Sequence, residues 1–506
     1  MSILSTCWNW FTANIFTQAA VFMAIMVLIG LMIAKKPWYE ALSGMLKAYI
    51  GFSVFSIASG GMISTFRPIL LGIKQAFNLN ATISDPYYGM ATINATIMPA
   101  LNRTLSLTAM AMLFGFLISI ALALFGKITK IRTLNVAGNC LNAFAITQVC
   151  AIALCCNWMT DMQVIIAGAI FTAVTNSVYS NLTVVASQSL TDGAGMAVGH
   201  SQNIMDAFAY EYGCYLERKA KEKGKKVKYY DDLNMPGWLS IFNDVYVSAA
   251  IVMFVFFGIL ITAIGPTVLA EIKDSGFSAG KSFIMYLFTT TMKFPIYMVI
   301  LTTGLRMFVS ELTVAFNYIS EKVLRGTLPA VDCACFYGFV SNPNVLTAGF
   351  LVGSISMIAC TIIGAAFNLP FIIIMGFIPM FFDNATVACF AHHKGGIKGQ
   401  VICNIITGAV DVLLGGLACY ITGFTEYGGA GMNFDAALTF PVFGLLWKNM
   451  GWIGFAIVIV ALLIVPQIQY LKNKDTYWLA SKDWEKYKEV IGTKEAKIVF
   501  AKDISV

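Results

Sequence analysis

Unbroken apolar stretches of about twenty residues recur along this chain, the length a helix needs to cross the hydrocarbon of a bilayer. They fall roughly at 16–34, 41–60, 104–126, 133–156, 163–186, 245–266, 282–303, 343–366, 369–391, 400–422 and 449–470. Inside hydrocarbon every backbone polar group needs an internal partner, so only helices and closed barrels span. Barrel strands alternate over about ten residues, a pattern these stretches do not follow. Charge decides the solvent. Only 12% of the residues are charged and 58% are hydrophobic, where a soluble chain carries roughly 25% charged residues. Too few polar side chains remain to cover a water-facing surface. The chain is expected to be an all-α polytopic membrane protein. Some stretches are short or broken, so the count is about nine to eleven spans.

The basic residues orient it. The loop that holds Arg218, Lys219, Lys221, Lys223, Lys225, Lys226 and Lys228 is the densest positive segment, which the positive-inside bias places in the cytoplasm. Lys35 and Lys36, and Lys127, Lys130 and Arg132, read the same way. The polar tail from Lys472 is expected in the cytoplasm too. The net charge of +7 is small for 506 residues; it fits cytoplasmic loops and gives no nucleic-acid footprint. The first ten residues hold no Lys or Arg, so no cleavable signal is expected. Most of the 12 Cys lie inside apolar runs, as Cys150, Cys155 and Cys156 do, and read as buried thiols. No metal site or cofactor is expected, because no carboxylate or Cys stands at ligand spacing to the His residues.

The two halves of the chain resemble each other weakly. Trp10–Gln18 parallels Trp238–Val247, Lys47 parallels Lys293, and Gly60-Gly61-Met62 with Ser64 parallels Gly304, Met307 and Ser310. Asp85 to Gly89 parallels Asp332 to Gly338, and Asn139 parallels Asn384, at a nearly constant spacing. The first span runs inward to Lys35 and Lys36, while its counterpart runs outward from the basic segment. Two inverted-topology repeats are therefore expected, the plan of transporters that bind substrate at the midplane.

A charge inside hydrocarbon costs about 2.5–3.5 kcal/mol even on lenient scales, so carboxylates at membrane depth are site candidates. Asp85, Asp332 and Asp383, with Asn384 beside the last, lie in polar or Pro/Gly-broken stretches. Freed backbone groups next to a carboxylate suit a polyhydroxylated ligand. Cys333-Ala334-Cys335-Phe336-Tyr337 after Asp332 does not read as a helix start, which argues against a mere capping role. Asp411, inside a later apolar run, is expected to face a helix partner. His200 ends the Gly-rich break Thr191–His200; His392 and His393 read as interfacial residues at the end of a span. Gly193–Gly199 lacks the Lys-Ser/Thr end of a phosphate-binding loop, which excludes ATP chemistry.

At these positions the chain resembles a known family. Gly376–Thr386, Thr191–His200, Met235–Asp244, Arg306–Glu311 and Val331–Ala334 look like the ascorbate-specific IIC permeases of the phosphoenolpyruvate-dependent phosphotransferase system. The likeness is collinear from about residue 10 to 470 and leaves out the tail. It implies two inverted five-helix halves with about eleven spans, a core domain, a V-shaped dimerisation domain, a homodimer in the inner membrane and elevator-type motion. Separate cytoplasmic IIB and, through it, IIA proteins would deliver the phosphoryl group. On this basis residues 1–235 form the first repeat and 236–440 the second. Residues 441–471 form a final span and 472–506 the tail.

Position by position, the family's substrate contacts would fall on Pro86, Tyr87, Asn139, Cys140, Leu141, Asn142, Ala143, His200, Ser201 and Asp332. Tyr87, His200 and Asp332 keep the family residue. Pro86 stands where those permeases commonly have Thr, Asn139 and Ala143 where they have His and Gln, and Ser201 where they have Gln. Such changes alter the hydrogen-bonding inventory of the pocket. The resemblance implies L-ascorbate or a related small sugar acid or alditol as substrate. His200 or Asp332 is then the candidate to accept a substrate hydroxyl proton. The competing class is an ion- or proton-coupled secondary transporter, with the membrane Asp residues as coupling sites.

Overall fold

The computed structural model describes the chain except residues 1–9, 11–13, 15–17, 78–80, 104–105, 138, 234–244, 279, 323, 325, 343 and 493–506. The paired segments Trp10–Gln18 and Trp238–Val247, and the Met235–Asp244 motif, lie mostly outside the described residues.

Helices dominate, and no barrel closes among the described residues. Among the described residues, seven helical runs are long and apolar enough to cross a membrane: Trp38–Ala76, Asp161–Leu182, Ala249–Glu271, Phe283–Leu301, Asn344–Ala366, Pro379–Thr422 and Phe434–Lys472. Met23–Ile33, Met110–Leu124 and Ala143–Cys155 are shorter apolar helices. Ile57, Ile259, Ile284, Ile362 and Ile453 stand exposed on their outer faces, an apolar surface that water would not tolerate and lipid would cover. Local signals set some ends. Thr160 and Gln163 form a reciprocal capping box at the start of Asp161–Leu182, satisfying two otherwise unpaired backbone donors. Glu40 in the first turn of Trp38–Ala76 and Lys74 in its last complement the helix dipole.

The helices gather in three groups. Ala19–Ile33, Trp38–Ala76, Val245–Glu271 and Lys293–Lys322 pack on one another. Asn344–Ala366, Asn384–Ala409 and Asn203–Glu222 pack together, as do Ser106–Leu124, Asn139–Cys155, Asp161–Leu182 and Phe434–Lys472. A layer of stacked rings joins the first group to the rest. Phe66 stacks on Phe257 at 4.3 Å and on Phe377 at 5.4 Å, and Phe294 meets Phe381 edge-on at 5.4 Å.

Among the described residues, six short strands interrupt the helices: β1 (Thr82–Ser84), β2 (Thr133–Asn135), β3 (Ala197–Val198), β4 (Leu328–Val331), β5 (Ile373–Met375) and β6 (Gly429–Ala430). They form two three-stranded parallel sheets, ordered β5-β1-β6 and β2-β4-β3. In the first, Thr82 pairs with Ile373; in the second, Thr133 pairs with Leu328. Each sheet thus takes strands from both halves of the chain. Exchanging β1 with β4, β2 with β5 and β3 with β6 turns one sheet order into the other.

Two sequence expectations change here. The apolar stretch 369–391 is not one helix: it holds β5, a π-turn at Pro379–Asp383 and the start of Asn384–Ala409. A short apolar strand cannot be told from a helix by periodicity alone. The basic segment is helical at its start, since Asn203–Glu222 includes Arg218, Lys219 and Lys221. Cations in a last helical turn are favoured by the dipole. His392 is buried and stacked on Tyr230 at 5.2 Å, and the helix that carries it breaks at Gly396, four residues on.

Candidate functional site

The long helix Trp38–Ala76 turns one face inward. Phe52, Ser56, Gly60, Ile63 and Arg67 follow one another at spacings of three and four, so they share a stripe along the helix. That stripe is one wall of a cavity of about 330 Å3, the lower end of the roughly 300–1,000 Å3 range of small-ligand pockets.

The opposite walls come from the carboxyl ends of the short strands. Asp85 and Pro86 follow β1, Cys140 and Ala143 follow β2, His200 follows β3, Asp332 follows β4, and Ile378 and Phe382 follow β5. Pro86, Cys140, Ala143, His200, Asp332, Ile378 and Phe382 all line the cavity, with Phe144. Parallel strands put their ends on one side of a sheet, so two sheets suffice to deliver chemically different residues from distant sequence positions to one space.

Asp332 is both a cap and a lining residue. Its Oδ1 accepts from the Ala334 backbone N–H at 3.0 Å and caps the 3-10 turn Cys333–Phe339. The expectation that no helical turn starts there is therefore corrected: a tight 3-10 turn needs few favourable residues to form. The other oxygen, Oδ2, accepts from Cys140 Sγ at 3.1 Å. A carboxylate has about four acceptor positions, so capping leaves acceptor capacity on the cavity side.

Behind the cavity wall His200 meets Asp383. Nδ1 of His200 lies 3.6 Å from Asp383 Oδ1, and both side chains are buried. The Asp383 oxygens accept from Asn433 Nδ2 at 3.0 and 2.9 Å. Phe144 meets the His200 ring edge-on at 5.7 Å. The imidazole is thus flanked on two sides, with Nδ1 buried and making no hydrogen bond to the described residues. Asp383 itself does not line the cavity. Asn384 lies farther away, fully buried, where Asn404 Nδ2 donates to its side-chain oxygen at 3.1 Å and to its carbonyl at 2.9 Å. Asp411 is buried with no hydrogen-bond partner on either oxygen.

On the helix wall Arg67 Nη2 donates to Asp85 Oδ1 at 2.8 Å, and the Asp85 side chain is 1% exposed. The Tyr88 N–H donates to the same oxygen at 3.1 Å. Asp85 therefore caps Pro86–Thr92 and ties it to the facing helix. Arg67 escaped the sequence analysis, which searched for carboxylates and imidazoles. The signal was a lone cation inside an apolar run, which demands a partner at membrane depth. The stripe from Phe52 to Arg67 was legible from its helical spacing.

The remaining candidates are dispersed. Leu141 is buried in the core. Ser201 lines a smaller adjoining pocket with Asn203, Gly431 and Asp435, and its hydroxyl is buried without a partner. Tyr87, Asn139 and Asn142 lie in the helices that begin at Pro86 and Asn139, and their side chains are not among those described.

Comparison with known proteins bears on what the cavity holds. A family model described as the sugar-specific permease component of the PTS system matches residues 14–437. The ascorbate-specific PTS system EIIC component of Mycoplasma pneumoniae is 27% identical over 437 residues. The match covers 79% of this chain and 65% of that protein's length.

Proposed function

Because the chain belongs to the sugar-specific permease components of the phosphotransferase system, a family of multi-pass proteins of the cell membrane, we propose that it binds L-ascorbate or a related small sugar acid or alditol and carries it inward for phosphorylation by a separate IIB protein. The observation that carries this reading is the cavity between the Trp38–Ala76 stripe and the strand ends. It combines Asp332, His200, Cys140 and Arg67 with the rings of Phe52, Phe144 and Phe382. Carboxylate, imidazole and guanidinium groups serve the hydroxyls of a sugar, and aromatic surface packs against its C–H faces. Pro86, Tyr87, Asn139, Cys140, Asn142, Ala143, His200, Ser201 and Asp332 are the proposed contacts, with Leu141 behind them.

The chemistry asked of the chain is positioning. In phosphoryl transfer the attacking and leaving oxygens must stand in line, and most of the catalysis is placement and electrostatic stabilisation. Asp332 and His200 hold a substrate hydroxyl, and one of them takes its proton. Asp383 keeps the His200 ring in place from behind. The phosphoryl group comes from IIB, itself charged through IIA.

Supporting two inverted repeats, the two sheets exchange into one another when the halves are swapped. Supporting elevator motion, stacked rings that slide without breaking directional bonds make up part of the contact between the helix groups, and the Arg67–Asp85 pair that also crosses it would have to open on sliding. On this reading the helices around Trp38–Ala76 form the V-shaped part that pairs in a homodimer.

One observation favours an ion-coupled alternative: Asp411, a buried carboxyl without hydrogen-bond partners, is the kind of group that transporters use to carry a proton. One experiment separates the two. Purified protein in vesicles is given labelled L-ascorbate, with either phosphorylated IIB or an imposed proton gradient. Phosphorylated product inside only with IIB supports the proposal. Concentration of unmodified ascorbate by the gradient alone overturns it.

A further inference from the structure

Beyond its last long helix the chain folds back on the sheet β2-β4-β3. Tyr477 is the first contact. Its backbone carbonyl accepts from Arg132 Nη1, and the Arg132 guanidinium lies over its ring at 3.7 Å. Its hydroxyl donates to the Lys130 carbonyl and accepts from Asn181 Nδ2 at 3.0 Å. Arg132 is the residue immediately before β2. Ala480 packs with Ala197, Leu328 and Ala330 of β3 and β4.

Two glycines receive the rest of the segment. Lys482 covers Gly326, two residues before β4, so closely that a Cβ there would collide with its stem. Trp484 covers Gly193 in the turn that leads to β3; a Cβ there would lie 2.8 Å from the indole. Both glycines have positive φ, 78° and 85°, which side chains disfavour. Lys488 pairs with Asp192 at 2.9 Å and holds that exposed carboxyl below its ordinary range.

All three strands are thus gripped at or just before their amino ends, while their carboxyl ends lead to Cys140, His200 and Asp332 on the cavity wall. Strands of two to four residues make few ladder bonds and do not hold a position alone. We propose that residues 476–488, which lie beyond the family match, are a positioning element of the substrate site, fixing the strands whose far ends hold those three side chains. This rests on the reading that the cavity takes the substrate.

The test compares the full chain in detergent with a version ending at Asn473 and with Trp484→Ala, which leaves Tyr477 in place should the truncation fail to fold. Hydrogen–deuterium exchange and equilibrium binding of labelled L-ascorbate are measured on the monodisperse fraction of each. Exchange should quicken at 197–201 and 328–334, and the ascorbate Kd should rise about tenfold on truncation, since small misplacements at a site are costly. Trp484→Ala should quicken exchange at 197–201 and raise the Kd by a smaller factor. A segment that only stabilises the fold would lower the yield and leave both readouts of the folded fraction unchanged, and that result overturns the proposal. Should the full chain not bind ascorbate, the substrate reading fails and the exchange pattern alone judges the brace: change confined to 191–196 and the segment itself sinks it.

Discussion

A single carboxylate can be asked to do two things, and Asp332 shows how. One oxygen caps the turn that follows and the other takes a thiol hydrogen from Cys140. Replacing it by Asn keeps a capping oxygen and removes the charge. We expect Asp332→Asn to weaken substrate binding by roughly 1–3 kcal/mol, the scale of a lost charged hydrogen-bond partner, with the amount in the membrane unchanged. Binding isotherms on the purified variant check this, and an unaltered Kd would rule out direct contact. Arg67 and Asp85 make a second case, because they join the Trp38–Ala76 helix to the turn after β1. A double-mutant cycle with Arg67→Gln and Asp85→Asn should give a coupling of about 1–3 kcal/mol in thermal or denaturant stability. Strictly additive losses would mean that the pair contributes nothing beyond its separate contacts.

At the scale of the element, the Trp38–Ala76 helix presents adjacent glycines to different neighbours. A Cβ at Gly60 meets nothing within 4 Å, whereas one at Gly61 would collide with the Tyr297 ring. Gly60→Ala should therefore be neutral or stabilise the helix by up to about 1 kcal/mol. Gly60→Phe should fill the cavity and reduce ascorbate binding at least tenfold, the equivalent of about 1.4 kcal/mol, without loss of fold. Gly61→Phe should instead lower stability and yield. Equal effects of Phe at the two positions would show that the cavity wall is drawn wrongly. This helix was partly legible in the sequence: its apolar run announces a span, and its stripe obeys helical spacing. Its length was not, because Arg67 and Pro68 suggest an end where the helix in fact continues to Ala76; Asp85 supplies the partner that lets Arg67 stay. The short strands were still less legible. Three apolar residues such as Ile373–Met375 carry no period, and their pairing partners lie in the other half of the sequence. Asp85, His200 and Asp332 stood out as polar groups in broken apolar sequence. That Asp383 would sit behind His200, and Asn384 among Asn404 and the core, depended on packing that spacing cannot encode.

The whole molecule carries its orientation in its cations. Single cysteines placed at Lys221 and Lys474 in a cysteine-free background should react with an impermeant thiol reagent only after the membrane is opened. Reaction at Lys221 in intact cells would invert the topology. A last consequence follows from the way the sheets are shared. β1 and β2 are made early, yet β1 pairs with β5 and β6, and β2 with β4. While the ribosome is still working, the first half must sit in the bilayer with strand edges that nothing yet satisfies, and each such group in hydrocarbon is costly. Biogenesis of this protein is therefore a waiting problem: quality-control proteases and chaperones meet an incomplete first half whose only remedy is the arrival of the second. A gene divided after Glu222 should yield two polypeptides that are each degraded when made alone and that persist when made together.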